Sequence, residues 1–315
     1  MKGVLKKGLR YFFSFIAIIT LNFTLPRAMP GDPVINMVGE DTHLTETVLL
    51  NLRNELGLDR PIQTQYAEYI WNLLHFDLGY SYHLHIPVSE VICSRMFWTM
   101  LLVGISIIIG AVVGTCAGAL AGWNSGNLKS RIMTFTAMTV SCTPPYFLAL
   151  MALYIFVYRL GIFPFKGFYD TFTLGSVIHH MILPVAVMSL FSASRNFMVM
   201  RGSVIQEKEQ LYALYAKAKG LRHNQVLLRH IFRNACLPII TQIALDFGFI
   251  FSGALFIEIV FSLNGLGTLI YDAVLGHDYP VLQGAFLLIS FTVILGNLVA
   301  DILYSVIDPR VRRGI

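Results

Sequence analysis

Few residues in this 315-residue chain have the type and spacing for covalent chemistry. Cys93, Cys116, Cys142 and Cys236 stand far apart with no CxxC spacing. Three of them lie in or beside apolar runs, where a thiol behaves as a small hydrophobe, so neither a disulfide framework nor a zinc site is expected. His83 and His85 form an HxH pair that could bind a metal, but such a pair on a loop is far more often solvated. There is no GxxxxGK[ST] phosphate loop, so any ATP used must be bound by another polypeptide. No HExxH or GxSxG motif is present either, and no catalytic residue is expected. What remains is informative by position. Asp246 sits well inside an apolar run, where an acid is costly and faces a partner or a wet cavity. Lining a translocation pathway and a buried hydrogen-bonded structural role both fit it. Pro144 and Pro145 interrupt another apolar run, where a proline pair breaks the hydrogen-bond ladder and kinks a helix. That kink either shapes a cavity or is structural adjustment alone.

The elements that must hold these residues follow from composition. Hydrophobic residues make up 56% of the chain, charged residues 13%, and the mean hydropathy is +0.65. This excludes a soluble globular protein and predicts an all-α polytopic membrane protein. The net charge of +5 could suggest nucleic acid, but the cations cluster in particular loops, which topology explains better. Six transmembrane helices are expected, over 11–25, 97–123, 132–158, 180–200, 237–261 and 280–304. A cleaved signal peptide is the alternative for the first. Its long apolar run and the Pro26–Arg27 interruption favour an uncleaved helix. Residues 34–97 form a polar excursion, with one short helix from Thr45 to near Gly57 and another from Pro61. Gly110, Gly114, Gly118 and Gly122 line one face of the second span and predict close helix packing. Sixteen of the 23 Lys and Arg fall in the N-terminus, 129–131, 201–233 and the C-terminal tail, against six in the opposite segments. The positive-inside rule therefore puts both termini in the cytoplasm and the excursion outside.

One polar stretch between apolar spans, 206–238, carries Lys208, Lys217, Lys219, Arg222, Arg229 and Arg233 and must lie in the cytoplasm. Leu211, Tyr212, Leu214, Tyr215 and Ala218 recur at helical spacing, Gly220 then stops the helix, and an amphipathic turn with Val226, Leu227, Leu228 and Ile231 follows. Pro238 opens the next span. A solvated loop on the lipid headgroups is the plain reading of such a segment.

The stretch YALYAKAKGL, 212–221, followed by VLLRHIFRNACLPIIT, 226–241, closely resembles the cytoplasmic coupling loop of ABC-importer permeases of the dipeptide, oligopeptide and nickel family. LNFTLPRAMPGDP (21–33), LRNELGLDRPIQTQY (52–66), FDLGYS (76–81), IEIVFSLNGLG (257–267) and NLVADILYSVIDPRVR (297–312) resemble the same family in order. The chain departs from it at Leu211, where Asp is usual, at Leu214 and Tyr215, where Arg-Thr or Glu-Ala is usual, and at Asn264, where Pro is common. The first three changes make the loop more apolar.

The resemblance implies a type I importer permease fold. Residues 1–33 would hold an N-terminal transmembrane helix and 34–97 an extracytoplasmic excursion. Residues 98–305 would form a permease core of five helices with a coupling loop at 206–236, and 306–315 a cytoplasmic tail. It implies that Leu211, Tyr212, Tyr215, Ala216, Lys219, Gly220 and Pro238 couple the chain to an ATPase. Asp246, Pro144 and Pro145 are the pathway candidates. Implied partners are a second related permease, two cytoplasmic ATP-binding subunits, an extracytoplasmic solute-binding protein and membrane lipid. The chain itself would bind no cofactor, ATP and Mg being used by the ATPases. The place is the plasma (inner) membrane of a prokaryote. Peptides are the expected cargo, with nickel or a metal chelate as alternative. A stand-alone secondary transporter or channel would need polar relays in several spans, where mainly Asp246 and Asp301 occur. A membrane enzyme lacks its motifs.

Overall fold

The computed structural model describes residues 2–28, 59–248 and 254–307. The expected helix from Thr45 to Gly57 and most of the 306–315 tail lie outside the described residues, as do 249–253. The described chain is helical and has no named strand, only an isolated bridge between Tyr80 and Pro87. It divides into two compact units, one of residues 1–97 and 268–291, the other of 98–267 and 292–315.

In the first unit, helix α1 (Lys2–Ala28) lies against α2 (Ile62–Leu74). The ring of Phe23 meets Tyr66 edge-on at 5.1 Å and Tyr69 at 5.6 Å. The buried Asn22 side chain donates to the Gln283 carbonyl at 2.7 Å, and the Gln283 side-chain amide donates to the Asn22 backbone carbonyl at 3.1 Å. This reciprocal pair of side chain–backbone bonds joins α1 to residue 283. The 79–88 loop is held by Asp278, whose carboxylate accepts from Ser81 Oγ and from the His83 backbone N–H. His83 itself contacts the Gly276 carbonyl. Among the described residues no group of three or more His, Cys, Asp or Glu could hold a metal.

In the second unit, α3 (Val88–Trp123, of which 98–123 belong here) packs on α6 (Leu174–Lys208) along the glycine stripe. A Cβ on Gly118 would lie 2.6 Å from the Phe197 carbonyl oxygen, and one on Gly122 2.8 Å from that of Arg201. At Gly110 and Gly114 it would overlap Ser192 and the Ala193 carbonyl. The backbones approach this closely only because those side chains are absent. On the opposite face of α3, Ile105, Ile108, Ile109, Val112 and Val113 are exposed, as suits a surface turned to lipid tails.

The expected single span over 132–158 is not one kinked helix. It is two, α4 (Leu128–Cys142) and α5 (Pro145–Ala152) continuing as a wider turn through Leu153–Arg159, bent by 102°. Thr143 and Pro144 are both extended, with ψ of 133° and 137°. Each precedes a proline, which disfavours the helical region for the residue before it. Two such residues in series turn the chain instead of bending it. The 206–236 segment contains α7 (Leu211–Ala218), and beyond it come α8 (Leu237–Gly248), α9 (Leu255–Val260), α10 (Leu266–Leu275) and α11 (Tyr279–Ile307). Among the described residues α3, α6 and α11 are long and apolar enough to cross a membrane, and the bent pair makes a fourth. Gly8–Thr24 and Leu237–Phe247 are shorter apolar helices.

Candidate functional site

The basic stretch at 206–238 folds as a short helix, a glycine turn and a second helical run. After α6 ends at Lys208, α7 occupies Leu211–Ala218. It ends in a paired hydrogen-bond closure: the Gly220 N–H reaches the Lys217 carbonyl at 2.9 Å and the Leu221 N–H reaches Ala216 at 3.4 Å. Gly220 has φ +79°, the left-handed conformation that this closure requires and that a Cβ disfavours. The chain then runs through His223–Gln225, Val226–Ile231 and Phe232–Ala235 to Pro238, the second residue of α8.

Two apolar faces of α7 have different surroundings. Ala213 and Ala216 are buried in a cluster with Trp123, Met200, Val204, Val226, Leu227 and Ile231, and Tyr212 packs against it. In the loop, each buried Val, Leu or Ile contributes about 1.5–3 kcal/mol relative to exposure. Glu207 accepts a hydrogen bond from the Tyr212 hydroxyl. Burial first, and that bond second, push the Tyr212 phenol up to about 12, so it stays a neutral donor. Leu211, Leu214 and Tyr215 lie on the other face, 70%, 49% and 67% exposed. Lys219 is exposed at the helix end. Of the coupling residues named from sequence on α7, Leu211 and Tyr215 therefore point outward, whereas Tyr212 and Ala216 face the chain's own core. Leu214 joins the outward set.

Trp123, at the end of α3, clamps this arrangement. Its carbonyl accepts from Lys208 Nζ at 2.9 Å. Its ring lies 5.4 Å from Lys208 Nζ and 5.2 Å from Lys217 Nζ, and His223 meets it edge-on at 5.2 Å. Each cation–ring contact is worth about 0.5–2 kcal/mol. Together they tie α7 and the end of α6 to the end of α3.

The pathway candidates also come together. A cavity of about 500 Å³ is lined by Thr143, Pro144 and Pro145 at the α4–α5 break, by Ser106 of α3, by Ser192 and Arg195 of α6, and by Asp246 of α8. Pro145 stands where a continuing helix would supply the N–H for the Ser141 carbonyl, and it has none. Arg195 pairs with Asp246 at 3.1 Å, and Gln242 donates to the same carboxylate oxygen at 2.9 Å. Arg195 lies within the 180–200 span expected from sequence, and nothing in the sequence alone joins it to Asp246. The signal was a lone cation within one apolar helix and a lone acid within another.

A second buried acid was also underread. Glu258 on α9 is fully buried; Thr99 donates to one oxygen at 2.6 Å and the Gly267 N–H to the other at 2.7 Å. A Cβ on Gly265 would overlap its carboxylate. Glu258 thus staples the SLNGLG turn to α3, which explains why Gly265 and Gly267 accompany it in that motif.

Long apolar helices, a short basic-flanked helix left half exposed between them and a cavity beside a broken helix define an all-α polytopic membrane protein. The comparisons carry this to a family. Residues 114–313 match the family model of the binding-protein-dependent transport system inner membrane component, and residues 1–103 match the N-terminal model of that membrane component. The chain belongs to this family, the permeases of ABC importers. A Brucella abortus (strain 2308) protein named as a peptide transport system permease is 35% identical over 313 residues, covering 98% of each chain. The dipeptide transport system permease protein of Escherichia coli (strain K12) is 33% identical over 323 residues, covering 95% of each. A solved structure, an amino acid ABC transporter with histidines, is similar with a TM-score of 0.52 over 70% of this chain and 94% of that one. At 15% identity it shows the fold alone.

Proposed function

We propose that the chain is one of two membrane subunits of an ATP-driven importer of di- or oligopeptides. The observation that carries this reading is near-full-length similarity to permeases named for peptides and dipeptides. In this reading a second related permease completes the membrane pair. Two cytoplasmic ATPases bind ATP and Mg, and an extracytoplasmic binding protein delivers the solute. Six spans cross the membrane with both termini in the cytoplasm, as the Lys/Arg distribution supports. The outward face of α7 docks on an ATPase. Closure of the ATPase pair moves α7, the Trp123 clamp passes the motion to α3 and α6, and the cavity at the α4–α5 break alternates between the two sides. The chain's own part is mechanical, and ATP hydrolysis belongs to the partners.

Orientation is tested by labelling single cysteines in a background without the native ones. A membrane-impermeant maleimide applied outside modifies a cysteine at Gln63, which is exposed on α2, and spares one at Gln225. Labelling at Gln225 from outside would place α7 on the wrong side of the membrane and remove the coupling role.

A further inference from the structure

The cavity at the helix break contains a polar arrangement that a structural ion pair does not explain. Both donors to Asp246, from Arg195 and Gln242, use the same oxygen, Oδ1. The other, Oδ2, is buried with no hydrogen-bond partner, although the Asp246 side chain is only 5% exposed. A buried carboxylate oxygen left bare is unfavourable, and a pair serving stability alone is often replaceable by apolar packing without loss. Arg195 is the open half, with a side chain 58% exposed. Its guanidinium carries five N–H donors, more than one carboxylate oxygen uses. Arg195 thus brings spare donors to the cavity wall, and Asp246, which also lines it, keeps one acceptor unused and covered.

That pattern fits a ligand carrying a donor cation next to an acceptor anion or carbonyl. The remaining wall includes Ile107, Met188, Phe191 and Ile257, which contact without direction. The cavity of about 500 Å³ falls within the roughly 300–1,000 Å³ typical of small-ligand pockets. We propose that Asp246 and Arg195 form a solute-contacting station for the charged end of a peptide. The α-ammonium takes up the acceptor capacity that Asp246 leaves unused, the carboxylate turning to present Oδ2 to the cavity, and Arg195 donates to the neighbouring carbonyl or to the carboxylate of a short peptide. Such a station reads what all short peptides share and ignores their side chains. It is neutral overall, so it holds a zwitterion without trapping a simple ion. The inference rests on the peptide-importer reading above.

The test uses the complete complex with its binding protein, reconstituted in liposomes, and radiolabelled alanyl-alanine. Asp246→Asn keeps the shape and removes the charge. Because the binding protein is a separate polypeptide, its affinity for the dipeptide does not change. Dipeptides moved per ATP hydrolysed are expected to fall at least about tenfold, the scale of one charge-assisted hydrogen bond, with ATPases still co-purifying. Arg195→Gln lowers the same ratio. The exchanged chain, Arg195→Asp with Asp246→Arg, rebuilds an ion pair but moves the acceptor, and does not restore it. Normal transport per ATP in Asp246→Asn, or recovery in the exchanged chain, overturns the station while leaving the peptide reading intact. A wild-type complex that takes up no alanyl-alanine overturns the peptide reading, and the station with it.

Discussion

Replacing Leu214 and Tyr215 together by Asp leaves the chain at normal abundance in the membrane and abolishes ATP-driven uptake. Both side chains are exposed on the outward face of α7 and absent from the core cluster beneath it, so the fold loses nothing with them. The docking role proposed for that face requires them to be desolvated against an ATPase. Burying two unpaired carboxylates there costs several kcal/mol, enough to lower affinity by about a hundredfold or more. The ATPase should no longer co-purify. Two further variants act by other routes. Ala216→Arg forces a charge into a site that is 5% exposed, so it should reduce thermal stability as well as coupling. Gly220→Val puts a β-branched residue at φ +79°, at a local cost of roughly 1–2 kcal/mol, and re-aims the chain after α7. Normal uptake by the double Asp chain would reduce α7 to a solvated connector.

The same substitution at two glycines of α3 should have opposite effects. Gly114→Ala drives a Cβ into the Ala193 carbonyl and the Asn196 side chain, neither of which can give way without separating α3 from α6. Overpacking of this kind costs about 1–3 kcal/mol in ordinary cores, and a backbone neighbour places it at the upper end. Gly104→Ala, on the same helix, meets nothing within 4 Å and should stabilise by up to about 1 kcal/mol through helix propensity. Thermal unfolding of the detergent-purified protein, read by loss of the monodisperse peak, checks both. Equal midpoints for the two variants would mean that the stripe is not a packing seam.

What could be read from sequence depended on whether one residue type had one cause. Lys and Arg between apolar runs have little reason other than cytoplasmic exposure, so the loop and its Gly220 turn stood out. The two faces of α7 did not separate, because Tyr212, Ala213 and Ala216 are as apolar as Leu211, Leu214 and Tyr215. Periodicity says that a helix has an apolar face, not whether its own chain or a partner covers it. Pro144–Pro145 announces a break, but a kink understates it: each proline holds the residue before it extended, Thr143 and then Pro144 itself, and the two in series turn the chain by 102°. Asp246 and Arg195 were each conspicuous alone. Their pairing depends on how α6 and α8 pack, and no local pattern encodes that.

In the proposed role this chain converts ATP hydrolysis on partner subunits into solute movement. Its most direct test measures alanyl-alanine uptake into liposomes carrying the complete complex, the complex lacking this chain, or this chain alone, each with binding protein and ATP. Uptake should occur only with the complete complex and should cease without ATP. Accumulation by this chain alone, or undiminished uptake by the complex that lacks it, would contradict the account.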